Sequence, residues 1–139
     1  MIIKLFNTPK NIKNSTKLKN YILNIFIKEK KKPGGINFIF CNDEFLLEIN
    51  KQFLNHHYYT DVITFDLTPT KKDPIVSDIY ISVDRIKENA KMYQTTIVKE
   101  LHRVIFHGIL HLCGYKDKTN QEKEVIRQKE NHYLEEYGL

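Results

Sequence analysis

The stretch His107-Gly-Ile-Leu-His111-Leu-Cys-Gly114-Tyr-Lys-Asp117 carries the residue types of a metal site at the spacing such a site needs. His107 and His111 stand four apart, close to one helical turn, so both imidazoles project from the same helix face. Gly114 is the natural helix stop, because glycine enters the left-handed backbone region without a Cβ clash. A chain reversal there lets the carboxylate of Asp117 meet the two imidazoles. Two imidazoles, one carboxylate and an open fourth position form a catalytic zinc site, with metal–ligand bonds of about 2.0–2.2 Å. The spacing H-x3-H-x2-G-x2-D is also that of a zinc-protease signature, in which a glutamate base directly follows the first histidine. Here Gly108 takes that place. Histidine pairs at i, i+4 arise by chance on core helices, but a core helix needs neither the glycine stop nor the third oxygen donor.

Zinc with three protein ligands brings the pKa of a bound water to about 7 and polarises a phosphoryl oxygen. The absence of a glutamate base weakens peptide hydrolysis more than phosphodiester hydrolysis. Water and the ribose 2′-hydroxyl both remain open as nucleophile. Arg103, one turn before His107, is a candidate cation for phosphate, or a side chain that snorkels out from a buried helix. Asp61, Asp66, Asp78 and Asp84 are candidate acceptors for the metal histidines, each with a competing role as cap or turn residue; Asp61 is the best placed of them. His56 and His57 read as solvated loop residues and His132 as a surface residue. His102, about 140° round the helix from His107, points elsewhere.

The elements that must position these residues follow from hydrophobic periodicity and capping signals. Strands are expected at 2–6, 36–41, 62–67 and 78–83. A helix capped by Asn14 or Ser15 carries Leu18, Tyr21, Ile22, Ile25 and Phe26, and Pro33-Gly34-Gly35 ends it. Asn42 caps a second helix to about Leu54, and Asp84 a third to about Met92. The motif helix runs from about Thr96 to Cys113 and is apolar nearly all round, which places it centrally. Thr119-x-x-Glu122 is a capping box opening a last helix to about Tyr137. This order describes an α+β domain: one mixed, roughly four-stranded sheet covered by about five helices, with the metal site on a central buried helix.

A chain of 139 residues, 41% of them hydrophobic, suits one domain with a single core. No apolar run approaches the length of a membrane span, and Met1 to Asn7 is too short and too soon interrupted for a signal peptide. Cys41 and Cys113 form no C-x-x-C pair and read as small buried apolar residues in a reducing compartment. The net charge of +5 is uneven: residues 1–32 hold nine lysines and one acid, ending in Lys28-Glu-Lys-Lys-Lys32. Such a cluster either binds a polyanion or is a solvated helix end.

The motif resembles that of the YbeY family of ribosomal RNA maturation endoribonucleases, H-G-x-L-H-L-x-G-Y-D-H, whose three histidines bind one zinc. A second family block, L-N-x-x-(Y/F)-R-x-x-D-x-x-T-D-V-L-S-F, is similar to Ile49-Asn50-Lys-Gln-Phe53-Leu54 continuing to Thr60-Asp61-Val62-Ile63-Thr64-Phe65. A third, G-D-I-x-I-S, is similar to Ser77-Asp78-Ile79-Tyr80-Ile81-Ser82. The chain departs from the family pattern at three places. Asp117 replaces the third histidine, Leu54 replaces an arginine associated with phosphate, and Lys116 is new. The resemblance implies a single zinc-dependent endoribonuclease domain over 1–139, with one Zn2+ held by His107, His111 and Asp117. It implies cleavage of single-stranded RNA in ribosomal RNA maturation and ribosome quality control, in the cytoplasm. Ribosomal RNA, the small ribosomal subunit and ribosome-associated proteins would be its partners. The competing readings are a zinc metalloprotease-like hydrolase, which Gly108 opposes, and a ribosome-associated binding module with structural zinc. No RRM or KH signature is present.

Overall fold

The computed structural model describes residues 1–139, in the order β1 (Ile3–Phe6), α1 (Ser15–Lys28), β2 (Pro33–Cys41), α2 (Asp43–Leu54), β3 (Val62–Asp66), β4 (Ile75–Ser82), α3 (Val83–Met92), α4 (Ile97–Leu112) and α5 (Asn120–Tyr137). The four strands form one sheet in the order β1-β2-β4-β3. β1, β2 and β4 run parallel and β3 pairs antiparallel with β4, so the sheet is mixed and the fold α+β, as expected.

Alternation along the strands divides the two faces. Ile36, Phe38, Phe40, Ile79 and Ile81 point into the main core, where they meet apolar residues of α1, α3, α4 and α5. Leu46 and Ile49 of α2 cover the other face, against Ile63 with Phe65 and Tyr80. α4 is the central element: ten of its sixteen residues are buried, among them Leu101, Ile105, Phe106, Ile109 and Leu110.

Asn14, Asn42, Thr96 and Thr119 each cap a helix through the side-chain oxygen, and Thr119 with Glu122 closes a full capping box. Two expectations need correcting. Asp84 is not the cap of α3: Ser82 Oγ accepts from the Arg85 amide, and Asp84 instead accepts from the Asp43 amide at the start of α2. Either residue type can cap, and here the strand ends one residue earlier than its apolar alternation suggests. Pro33-Gly34-Gly35 does not end α1, which stops at Lys28 with Lys30 at φ 59°. These three residues open β2, where Gly34 lets Pro74 approach: a Cβ there would lie 2.8 Å from the Pro74 Cβ. Cys113 is buried as expected, whereas Cys41 is only half-buried.

Candidate metal centre

The site is built at the C-terminal end of α4. Gly114, at φ 106°, takes the left-handed conformation at which other residues are strained. The Gly114 and Tyr115 amides turn back onto the carbonyls of His111 and Leu110 at 3.0 Å each, satisfying acceptors that the helix end leaves free. Tyr115 then donates its hydroxyl to Glu29 at 2.7 Å, fixing the turn to the end of α1. Asp117 follows two residues later.

This reversal brings together the three residues that the sequence singles out. One ligand atom from each of His107, His111 and Asp117 lies within 4.8 Å of the others. The two Nε2 atoms are 2.9 Å apart, and each is 3.4 Å from Asp117 Oδ2. A tetrahedral ion with bonds of about 2.0–2.2 Å needs ligand atoms about 3.3–3.6 Å apart. Both carboxylate spacings meet this, and the two nitrogens need to open by only a few tenths of an ångström. Two imidazole nitrogens and one carboxylate oxygen suit a borderline ion such as zinc.

The second ring nitrogen of His107 is also accounted for. Its Nδ1 lies 2.6 Å from Glu130 Oε2 on α5. Donating that N–H leaves Nε2 of the neutral ring as the lone-pair nitrogen, aimed at His111 and Asp117. Burial alone would lower the His107 pKa, but the Glu130 carboxylate, with Asp117 and Asp61 nearby, holds it above the ordinary histidine value. Glu130 is 3% exposed and is also paired with Arg103 at 3.3 Å and Arg127 at 3.5 Å. Sequence reasoning does not reach Glu130, which lies on another helix 23 residues from its partner. The available signal was a lone acid on the buried stripe Ile126, Glu130, Tyr133, Leu134 of α5.

Asp61, the expected acceptor for a metal histidine, does not take that place. Its carboxylate accepts from Asn89 Nδ2 at 3.2 Å, and burial pushes its pKa up although the charge of His107 opposes this. Asp66 accepts from the Thr68 amide, and Asp78 accepts from Asn37 across the β2–β4 pair, so neither carboxylate holds a metal histidine. Arg103 does not snorkel to solvent; with Lys123 and Arg127 it lines a cleft that His107 and Asp117 also border. Its side chain contacts Glu100 and Glu130 and donates to Asn131 at 2.8 Å. His102 is buried, with Nδ1 2.7 Å from the Val98 carbonyl, and His132 is exposed beside Glu136. Burial pushes the Cys41 thiol up to about 11 and the Cys113 thiol up to about 12, so neither is a ready thiolate.

Gly108 faces the sheet rather than the site. A Cβ there would lie 3.3 Å from Ile79 Cδ1 and Cγ2 and 3.4 Å from Thr64 Oγ1. The close seating of α4 on β3 and β4 therefore has no room for the glutamate of a zinc protease.

The two histidines and Asp117 open into a cavity of about 430 Å3. The end of α2 and the loop before β3 also line it, through Leu54, His56 and Tyr58. His56 is thus exposed but borders the site, while His57 does not line the cavity. No lysine or arginine lines it; Asp61, Asp66 and Asp117 are its ionisable acids.

A family model described as "Endoribonuclease YbeY" matches residues 4–138. The chain is 47% identical to an "Endoribonuclease YbeY" of Cytophaga hutchinsonii, over 92% of this chain and 89% of that protein. It is 42% identical to one of Karelsulcia muelleri, over 96% and 94% of the two chains. The solution structure of TM1509 from Thermotoga maritima superposes with a TM-score of 0.66 at 31% identity, covering 99% of this chain and 89% of that one.

Proposed function

The chain belongs to the YbeY endoribonuclease family, and we propose that it cleaves single-stranded RNA with one zinc ion held by His107, His111 and Asp117. The observation that carries this reading is the convergence of the three ligand atoms within 4.8 Å at a cavity of about 430 Å3. A bound divalent ion would lower the pKa of a coordinated water and draw charge from a phosphoryl oxygen. The protein's own contribution is positional. The α4 backbone sets the two imidazoles one turn apart, Glu130 fixes the tautomer and tilt of His107, and the Gly114 turn brings in the third donor. An alkoxide leaves a phosphodiester more readily than an amide leaves a peptide. A site without the protease glutamate therefore suits RNA better than protein.

The reading extends to ribosomal RNA maturation in the cytoplasm, with the small ribosomal subunit and ribosome-associated proteins as partners. Its support is the motif resemblance and the N-terminal lysine cluster. No helix is long and apolar enough to cross a membrane.

Metal analysis joined to parallel RNA and casein cleavage tests the proposal. Wild type should bind one zinc per chain and cut single-stranded RNA slowly, leaving casein intact. His111→Ala should lose most of the metal and the RNA cleavage together. Casein cleavage that disappears in His111→Ala, with RNA untouched by either protein, would overturn the nuclease assignment.

A further inference from the structure

The end of α2 and the loop before β3 bring two aromatic rings, His56 and Tyr58, to the cavity that the metal ligands line. His56 and Tyr58 lie with ring planes 18° apart and centroids 5.1 Å apart, and the Tyr58 hydroxyl is 3.1 Å from His56 Nδ1. Both are exposed, Tyr58 at 58%, yet the backbone beneath them is fixed. Asn50 is buried at 1% exposure; its Nδ2 donates to the Tyr58 carbonyl at 2.9 Å, and its own carbonyl accepts from the His56 amide at 3.1 Å. Between them Asn55 takes the left-handed conformation at φ 55°, which turns the chain so that both rings face the cavity's edge.

Charge decides what these rings take. No lysine or arginine lines this cavity and three carboxylates do; the cations beside the metal ligands, Arg103, Lys123 and Arg127, line the adjoining cleft that shares His107 and Asp117. A phosphate gains nothing against such a lining, so its place is at the metal ligands. A neutral planar group with a π-face gains stacking energy at no electrostatic cost, and in single-stranded RNA that group is the nucleobase.

We propose that His56 and Tyr58 form a nucleobase-stacking platform that holds one unpaired base of the RNA beside the metal centre. The inference rests on the RNA reading above and adds to it the substrate moiety that the two rings engage. A duplex keeps its base faces covered, so such a platform selects single strands. Because stacking needs only a π-face, selectivity among the four bases should be weak.

Metal-loaded protein and a 2′-O-methyl oligouridylate, which cannot be cut through its own 2′-hydroxyl, allow a test by fluorescence anisotropy. A series carrying one abasic site at successive positions provides the comparison. Tyr58→Ala should weaken binding of the intact oligonucleotide by about 5- to 150-fold, the worth of one base–aromatic stack. Tyr58→Phe should stay close to wild type, and Tyr58→Trp should bind at least as tightly. One abasic position should cost wild type the same factor and cost Tyr58→Ala nothing further. Equal affinity of wild type and Tyr58→Ala overturns the platform while leaving the RNA reading intact. So does a loss in Tyr58→Ala that is the same for intact and abasic strands. Failure of wild type to bind any of the oligonucleotides overturns the RNA reading and the platform together. Circular dichroism of each variant confirms the fold, which an exposed side chain should not disturb.

Discussion

A carboxylate at 3% exposure is costly to bury unless its charge is met, and Glu130 meets His107, Arg103 and Arg127 at once. Its hydrogen bond orients the ring that carries a proposed metal ligand, so its loss should be felt in metal affinity before anything else. Glu130→Ala should weaken zinc binding by about 10- to 100-fold in chelator competition. It should also destabilise the metal-free protein by about 3–5 kcal/mol, because Arg103 loses a buried partner. Glu130→Gln keeps an oxygen that can accept from Nδ1 and should recover most of the metal affinity. If both variants bind zinc like wild type, Glu130 serves only the ion pair with Arg103. The convergence of His107, His111 and Asp117 was legible in the sequence because the three lie within one turn of helix and one reversal of chain. Glu130 was not, because a tertiary contact between α4 and α5 has no local periodicity to announce it. Asp61 sits in the expected region, but Asn89 takes its carboxylate, a contact no spacing predicts.

At the scale of elements, helix and strand order follow the sequence because apolar periodicity and capping residues agree at each segment. Thr119 with Glu122 and Asn42 before Asp43 are examples in which the side chain named by the pattern makes the predicted bond. The misreadings fall at boundaries. Glycine and proline usually punctuate, but Pro33-Gly34-Gly35 joins β2 because that segment pairs with Ile75 and Val76 from a distant part of the chain. The seating of α4 on the sheet depends on Gly108. Gly108→Ala gains helix propensity of about 0.8–1 kcal/mol but must displace Ile79 by a few tenths of an ångström. These effects oppose each other, and stability should change by less than about 1 kcal/mol. Gly108→Glu forces a charged side chain between helix and sheet. It should cost about 3 kcal/mol or more in urea unfolding and give no peptidase activity. A Gly108→Glu protein as stable as wild type would show that α4 is not held at this distance.

At the scale of the whole molecule, Glu29 ties the end of α1 to the site turn and to α5. It accepts from Tyr115, from Tyr133 and from Lys129. Burial alone would raise its pKa, but these donors hold the carboxyl below the ordinary glutamate range. The folded state therefore gains from the ionised form, a contribution present above the unfolded pKa of about 4.3 and lost as pH falls through the lower folded value. Glu29→Gln should cost about 1–3 kcal/mol near pH 7. The gap to wild type should close as pH drops below about 4; a gap that stays constant down to pH 3 would contradict the linkage.

The same residue places the basic run. Lys30, Lys31 and Lys32 follow Glu29 directly, so they emerge beside the turn that carries Asp117. Lys28 differs from them, since it is paired with Glu136 on α5. The sequence showed the charge cluster but not this division, which depends on a helix more than a hundred residues away. If the three unpaired lysines follow an RNA strand leaving the cavity, each phosphate they neutralise releases counterions. Replacing Lys30, Lys31 and Lys32 by Gln should then flatten the plot of log affinity against log salt by up to about 0.7 per lysine, about 2 in all. Replacing Lys28 alone should change that slope little and instead slightly destabilise the α1–α5 contact, by less than about 1 kcal/mol. Anisotropy titrations between about 50 and 200 mM salt separate the outcomes. An unchanged slope in the triple variant would make the run a solvated helix end and move the phosphate path elsewhere on the surface.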